Sequence, residues 1–246
     1  IARLVRGYTY YNLVRKYGDV VWVDHVVDPT DSEILYGPRT SRDIVMDYVI
    51  EDLQYASQNI QAQSSATTWS KDYALATLSE VALYEGTFCR YRTKADNGLE
   101  PDEARAKKYL AISASASEDL LGRYGFTNDY HSIYNSLWTS AESTVIPGSK
   151  ITGLSENPEL IVGRRYDETN GRHSTISYTC SSTTTSGMSL DGFKSFLYLD
   201  GKPYGGESLE GENTTFNGQP AYSIQKLLDV RDKRLSIITD PYVYYA

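Results

Sequence analysis

Residues 3–20 read RLVRGYTYYNLVRKYGDV, and this stretch decides the fold. With the two residues before it, it spaces Ile1, Leu4, Val5, Tyr8 and Tyr11 three or four apart, so residues 1–17 predict one helix with an apolar, aromatic face. Arg15 and Lys16 suit the negative end of the helix dipole, and Gly18 suits the position just past the last turn. VVWV at 20–23 predicts a short extended run in which Trp22 reads as core or shallowly buried, before a loop holding Pro29, Gly37 and Pro38.

Outward from there the helical pattern repeats. A capping signal at Thr40 and Ser41 opens a second helix, whose stripe is Val45, Val49, Leu53, Ala56 and Ile60. After QAQSSATTW (61–69), Ser70 caps a third helix, where Ala74, Ala82 and Gly86 leave room for another helix to approach. A fourth opens on the acidic turn at Glu100, Asp102 and Glu103, with Pro101 at the first helical position, and runs to about Leu121. The loop RTKADNG separates these last two. Residues 1–125 therefore predict tetratricopeptide-like helical hairpins, without the full repeat signature.

Residues 126–246 predict a loop-rich region with short strands. NDYHSIYNSLW (128–138) holds one or two helical turns, 159–162 reads as a buried strand and 174–180 as an alternating one. SSTTTSG (181–187) is a linker or an ordered polar loop; a short helix is expected near 224–230 and a strand near 235–239. The fold class is mainly α, and the regions 1–125 and 126–246 are expected to be parts of one larger domain.

Composition narrows the function. The 246 residues carry 24 Lys+Arg against 32 Asp+Glu, a net charge of −8, which repels a phosphate backbone or an anionic membrane surface and argues against nucleic-acid binding. No apolar run approaches the roughly 20 residues that cross a bilayer, and no charged n-region with an apolar h-region opens the chain. The first residue, Ile1, enters helical periodicity with no cap before it, so a piece of a longer protein is expected. Cys89 and Cys180 can pair or stay free, and two free thiols with Cys89 buried is the expectation. Two cysteines without CxxC or HExxH exclude structural zinc; the loop acids Asp191, Asp200 and Asp232 leave calcium open but lack EF-hand spacing, so no metal ligand and no cofactor is assigned.

Several segments, in chain order, carry a family resemblance. The Arg- and Tyr-rich helix ending in Tyr-Gly-Asp-Val (3–20) resembles the SusD/RagB family of bacterial outer-membrane nutrient-binding lipoproteins. SRDIVMDYVIEDL (41–53) and WSKDYALATLSEVALYEG (69–86) resemble the family's next two helices. NPELIVGRRY (157–166), LDGKP (199–203) and RDKRL (231–235) are similar to later family stretches, with Lys233 standing where the family carries Pro. The resemblance implies a SusD-like α-α superhelix and cell-surface binding of oligosaccharides, without catalysis, for uptake through a SusC-like TonB-dependent transporter in Bacteroidetes. It also implies a signal peptide, a lipid anchor at the outer membrane and further sequence on both sides of these 246 residues. On this reading the helical hairpins face the transporter and the loops of the second half hold the ligand.

Sugar recognition needs aromatic rings for the apolar faces of sugar rings, and amides or carboxylates for the hydroxyls. Tyr130, Tyr134 and Trp138 are four apart with Asn135 and His131 beside them, although such a stripe serves core packing equally well. Trp69 before a helix and Tyr36 in a Gly-Pro loop complete the candidates. Most of the 22 tyrosines, against 5 Phe and 3 Trp, read as interhelical packing. Arg164, Arg165 and Arg172 could meet an acidic sugar but read as solvated or salt-bridged. Glycosidase chemistry would need two carboxylates flanking the bond, and Glu51/Asp52, Asp102/Glu103 and Glu118/Asp119 all read as water-facing helix surface. GxSxG, GxGxxG and GxxxxGK[ST] are absent, so an enzyme is not expected. The alternatives are a helical protein-binding scaffold, or a SusD-like protein that binds peptide or another nutrient.

Overall fold

The computed structural model describes residues 1–62, 65–126, 157–164, 188–239 and 241–244. The chain divides into two compact units, Ile1–Thr127 with Leu154–Arg165, and Asn128–Gly153 with Tyr166–Ala246.

The first unit is built of antiparallel helices. α1 (Ala2–Tyr17) stops at Gly18, whose φ of 72° is open to a residue without a side chain and whose N–H bonds back to Val14 O. The turn after it closes by a bridge between Val20 and Thr40, and the Asp19 carboxylate accepts the Arg42 N–H at 2.8 Å. That bond supplies the cap of α3 (Arg42–Asn59), since the Ser41 hydroxyl makes no capping bond. The expected extended run at 20–23 pairs only at Val20. Trp22 leaves the ladder to stack between Tyr10 and Tyr48, with ring centroids at 4.4 and 5.0 Å, and is half-buried. Part of the expected loop folds as α2 (Ser32–Tyr36), capped by Asp31.

Ser70 caps α4 (Lys71–Tyr91) by accepting the Tyr73 N–H. The short α5 (Lys94–Asn97) occupies the loop before α6 (Glu103–Glu118). Asp102 caps α6, so Pro101 lies one residue outside the helix rather than at its first position. The core runs through all four long helices, with Leu4, Val14, Val49, Leu53, Leu78, Val81 and Tyr109 buried. Burying such side chains supplies about 1.5–3 kcal/mol each against the unfolded chain. α4 and α6 pack closest: Ser79 meets Ser113 and Ser117 at 3.1 and 2.6 Å, and a Cβ on Gly86 would lie 2.8 Å from Leu110 Cγ. The segment 159–162 is turn and coil rather than a strand, held by a bond from Gly163 N to Ala66 O at 2.7 Å.

In the second unit, α7 (Leu190–Ser195) is followed by a turn at Asp200 and Gly201, and then by a hairpin where loop was expected. β1 (Glu212–Phe216) and β2 (Gln219–Ser223) pair antiparallel, Glu212 opposite Ser223 and Phe216 opposite Gln219. Their connection, Asn217-Gly218, has φ of 52° and 75°, the paired positive angles of a type I′ turn. β3 (Tyr242–Tyr244) adds to β2, and Phe216 stacks on Tyr242 at 4.2 Å. α8 (Gln225–Asp229) stands where a helix was expected. The strand expected near 235–239 is instead α9 (Lys233–Ile238): Asp232 accepts the Arg234 N–H and starts a helix that alternation could not reveal.

Arg231 is the largest fully buried side chain among the described residues of this unit. It is 1% exposed, its Nη2 donates to the carbonyls of Phe193, Lys194 and Phe196, and its guanidinium lies 4.6 Å from the Tyr198 ring centre. The first residue of the RDKRL segment thus ties α7 to the strand-like bridge at Tyr198. The sequence offered a motif there but no role for it.

Candidate functional site

The segment leading into α4 positions the exposed aromatic candidate. Trp69 precedes the Ser70 cap, is 44% exposed, and meets the Tyr73 ring edge-on at 5.9 Å, its one ring contact among the described residues. The residues before it form a hydroxyl-rich turn: Ser65 Oγ lies 3.1 Å from Thr67 Oγ1, and the Thr68 hydroxyl donates to Ser65 O. Lys71 N–H donates to Gln61 O, and Gly163 fixes Ala66, so this turn is held at both ends. On the next turn of α4, the Asp72 carboxylate takes hydrogen bonds from Arg123 at 2.6 Å and Tyr124 at 3.0 Å. Burial, and then the bond to Asp72, push the Tyr124 hydroxyl up to about 12, so it stays a donor. An exposed indole beside a turn of fixed hydroxyls can stack on the apolar face of a polyhydroxylated ligand and bond its edge.

The other sequence candidates fall elsewhere. Tyr36 ends α2, is 86% exposed, and has no ring or hydrogen-bonding partner among the described residues; no contact joins it to Trp69. Tyr130, Tyr134, Asn135 and Trp138 lie outside the described residues, as do His131, Arg165, Arg172, Cys180 and the run 174–180.

The most concentrated charges are internal. Glu85 is fully buried and takes a bidentate pair from Arg42 at 3.0 and 2.7 Å, while Asp43 takes Arg92 at 2.8 Å. Cys89 donates its S–H to Glu85, and burial pushes the thiol up to about 12. Ligand atoms of Asp43, Glu85 and Cys89 lie within 4.8 Å of one another, yet two guanidiniums already neutralise them and the sulfur stays protonated. This cluster is an ion-paired core between α3 and α4, unsuited to a divalent cation. Asp52 corrects the water-facing expectation for its helix: it is 3% exposed and bound by Arg6 at 2.6 and 2.8 Å. Asp102 likewise caps α6.

No family model matches the chain. Over 112 residues it is 36% identical to SusD-like protein P2 of Formosa agariphila, a match covering 41% of this chain and 22% of that protein. Its fold matches a SusD-like carbohydrate binding protein of Bacteroides fragilis with a TM-score of 0.60 at 18% identity, over 96% of this chain and 38% of that one. A second SusD-like protein of Bacteroides fragilis matches with a TM-score of 0.52 at 20% identity, over 94% and 40%. The fold of the chain is therefore that of these SusD-like proteins. The chain spans less than half the length of each of these relatives. Among the described residues no helix is long and apolar enough to cross a membrane.

Proposed function

We propose that this chain is a glycan-binding part of a cell-surface uptake protein that holds oligosaccharide without cleaving it. The observation that carries the reading is the exposed Trp69 ring, braced by Tyr73 beside a hydroxyl-rich turn, in a chain whose fold is shared with a carbohydrate-binding protein. The SusD/RagB resemblance adds the finer proposals: a place at the outer membrane and a SusC-like TonB-dependent transporter as partner. Calorimetry against a panel of neutral oligosaccharides tests the ligand. Trp69→Ala should weaken binding by about 2- to 12-fold, the worth of one aromatic contact of about 0.5–1.5 kcal/mol; unchanged affinity removes Trp69 from the site. Release of reducing ends from the same sugars would overturn the non-catalytic reading.

A protein-binding scaffold has its own observation. Ile44, Tyr48 and Tyr55 share one face of α3 and are all 40% exposed or more. If that face serves a protein, Tyr48→Glu should abolish co-purification with the transporter while leaving oligosaccharide affinity intact.

A further inference from the structure

The first unit contains a second concavity, distinct from the Trp69 surface. At one end of the helical layer, α3 and α6 are joined across α4: Arg105 and Lys108 bind Asp47 at 2.9 and 3.1 Å, Arg105 also reaches Asp43 O at 2.8 Å, and the Tyr109 hydroxyl donates to Asp47. Toward the other end α6 carries Ala111, Ser115 and Ala116, too short to reach across. A groove of about 390 Å³ stays open there over the N-terminal half of α4. Leu75 and Leu78 of α4 and Ile112 of α6 make an aliphatic floor.

Where Asp43, Asp47, Asp52, Asp72 and Glu85 are all ion-paired, the side chains of Gln54, Gln58, Lys71 and Asp119 have no hydrogen-bonding or ionic partner among the described residues, yet all line this one groove. Gln54 and Gln58 stand one turn apart on α3, each offering two N–H donors and a carbonyl acceptor, the complement of adjacent hydroxyls. Lys71 and Asp119 cancel in charge, so a net-charged ligand gains no overall attraction. The volume falls at the small end of ligand pockets.

We propose that this groove binds one or two rings of a neutral sugar, hydroxyl edges toward Gln54 and Gln58 and C–H faces on the leucine floor. The sugar class rests on the glycan reading above; the location does not. With no aromatic ring in the lining, the site is weaker than a stacking site.

The test is NMR titration of the whole chain with maltose, cellobiose and lactose, following the side-chain amide signals of Gln54 and Gln58. Saturable shifts are expected with at least one of these sugars. The double variant Gln54→Ala/Gln58→Ala, followed through the Ser115 and Asp119 amides, should weaken that binding roughly fivefold or more. Ser115→Trp, at an exposed position, should fill the groove and abolish it. Trp69→Ala should leave it unchanged. Absence of saturable shifts with all three sugars, or shifts that survive Ser115→Trp, would overturn the proposal. Saturation by glycylglycine and by none of the sugars would overturn the ligand class. If the groove stays silent while Trp69→Ala loses oligosaccharide affinity, the groove fails and the glycan reading stands; if the groove saturates while Trp69→Ala changes nothing, the groove stands and Trp69 leaves the site.

Discussion

Glu85 and Arg42 form the ion pair with most at stake in this chain. The carboxylate is 0% exposed, and Arg42 is held from both sides, by Glu85 at 2.7 Å and by the Phe88 ring at 3.7 Å. Removing one partner strands the other charge away from water, so Glu85→Gln should cost about 3–5 kcal/mol in urea denaturation. Replacing both by apolar residues of similar size should cost far less, because no unpaired charge remains; equal losses would refute the ion-pair account. In sequence, Glu85 and Arg42 are ordinary polar residues on two helical patterns. Asp52 shows the same blindness: an acid beside Glu51 reads as solvent-facing, and it is Arg6 with Arg3, arriving from α1, that makes its burial tolerable.

The packing of α4 on α6 is decided by small residues. Gly86 lets the helices approach until a Cβ would stand 2.8 Å from Leu110, and the Ser79, Ser113 and Ser117 hydroxyls bond across the same seam. Gly86→Ala should therefore destabilise by about 1–3 kcal/mol, although alanine is the better helix former. A more stable variant by thermal melting would show that the seam has slack. The start of α4 was legible because Ser70 announces itself as a cap, whereas Asp102 read as part of an acidic first turn and only the structure makes it the cap of α6. The segment after Asp232 was harder to read: residues 235–239 read as a strand, and the cap from Asp232 makes Lys233–Ile238 a helix. The hairpin of β1 and β2 had a readable signal in Asn217-Gly218, but its polar strands, exposed along nearly all of β1, lack the apolar alternation that would have drawn attention to it.

At the scale of the whole molecule, the net charge of −8 separates two classes of ligand. A neutral glycan held by stacking and hydrogen bonds should bind with affinity changed by less than about twofold between low and high salt, because screening acts on charge attraction. A steep salt dependence would point to a charged nutrient instead. The amino-acid sequence by itself determined the helical hairpins, the Ser70 cap and the order of segments that resemble SusD/RagB proteins, because helix periodicity and a cap next to its own helix are local. Tertiary structure alone decided which charges are buried, that Asp19 caps α3, that Arg231 holds three carbonyls, and that a groove with unpaired amides opens between α3 and α6. Each of these joins residues far apart in the chain, and a partner that distant leaves no periodic trace in the residues it will meet.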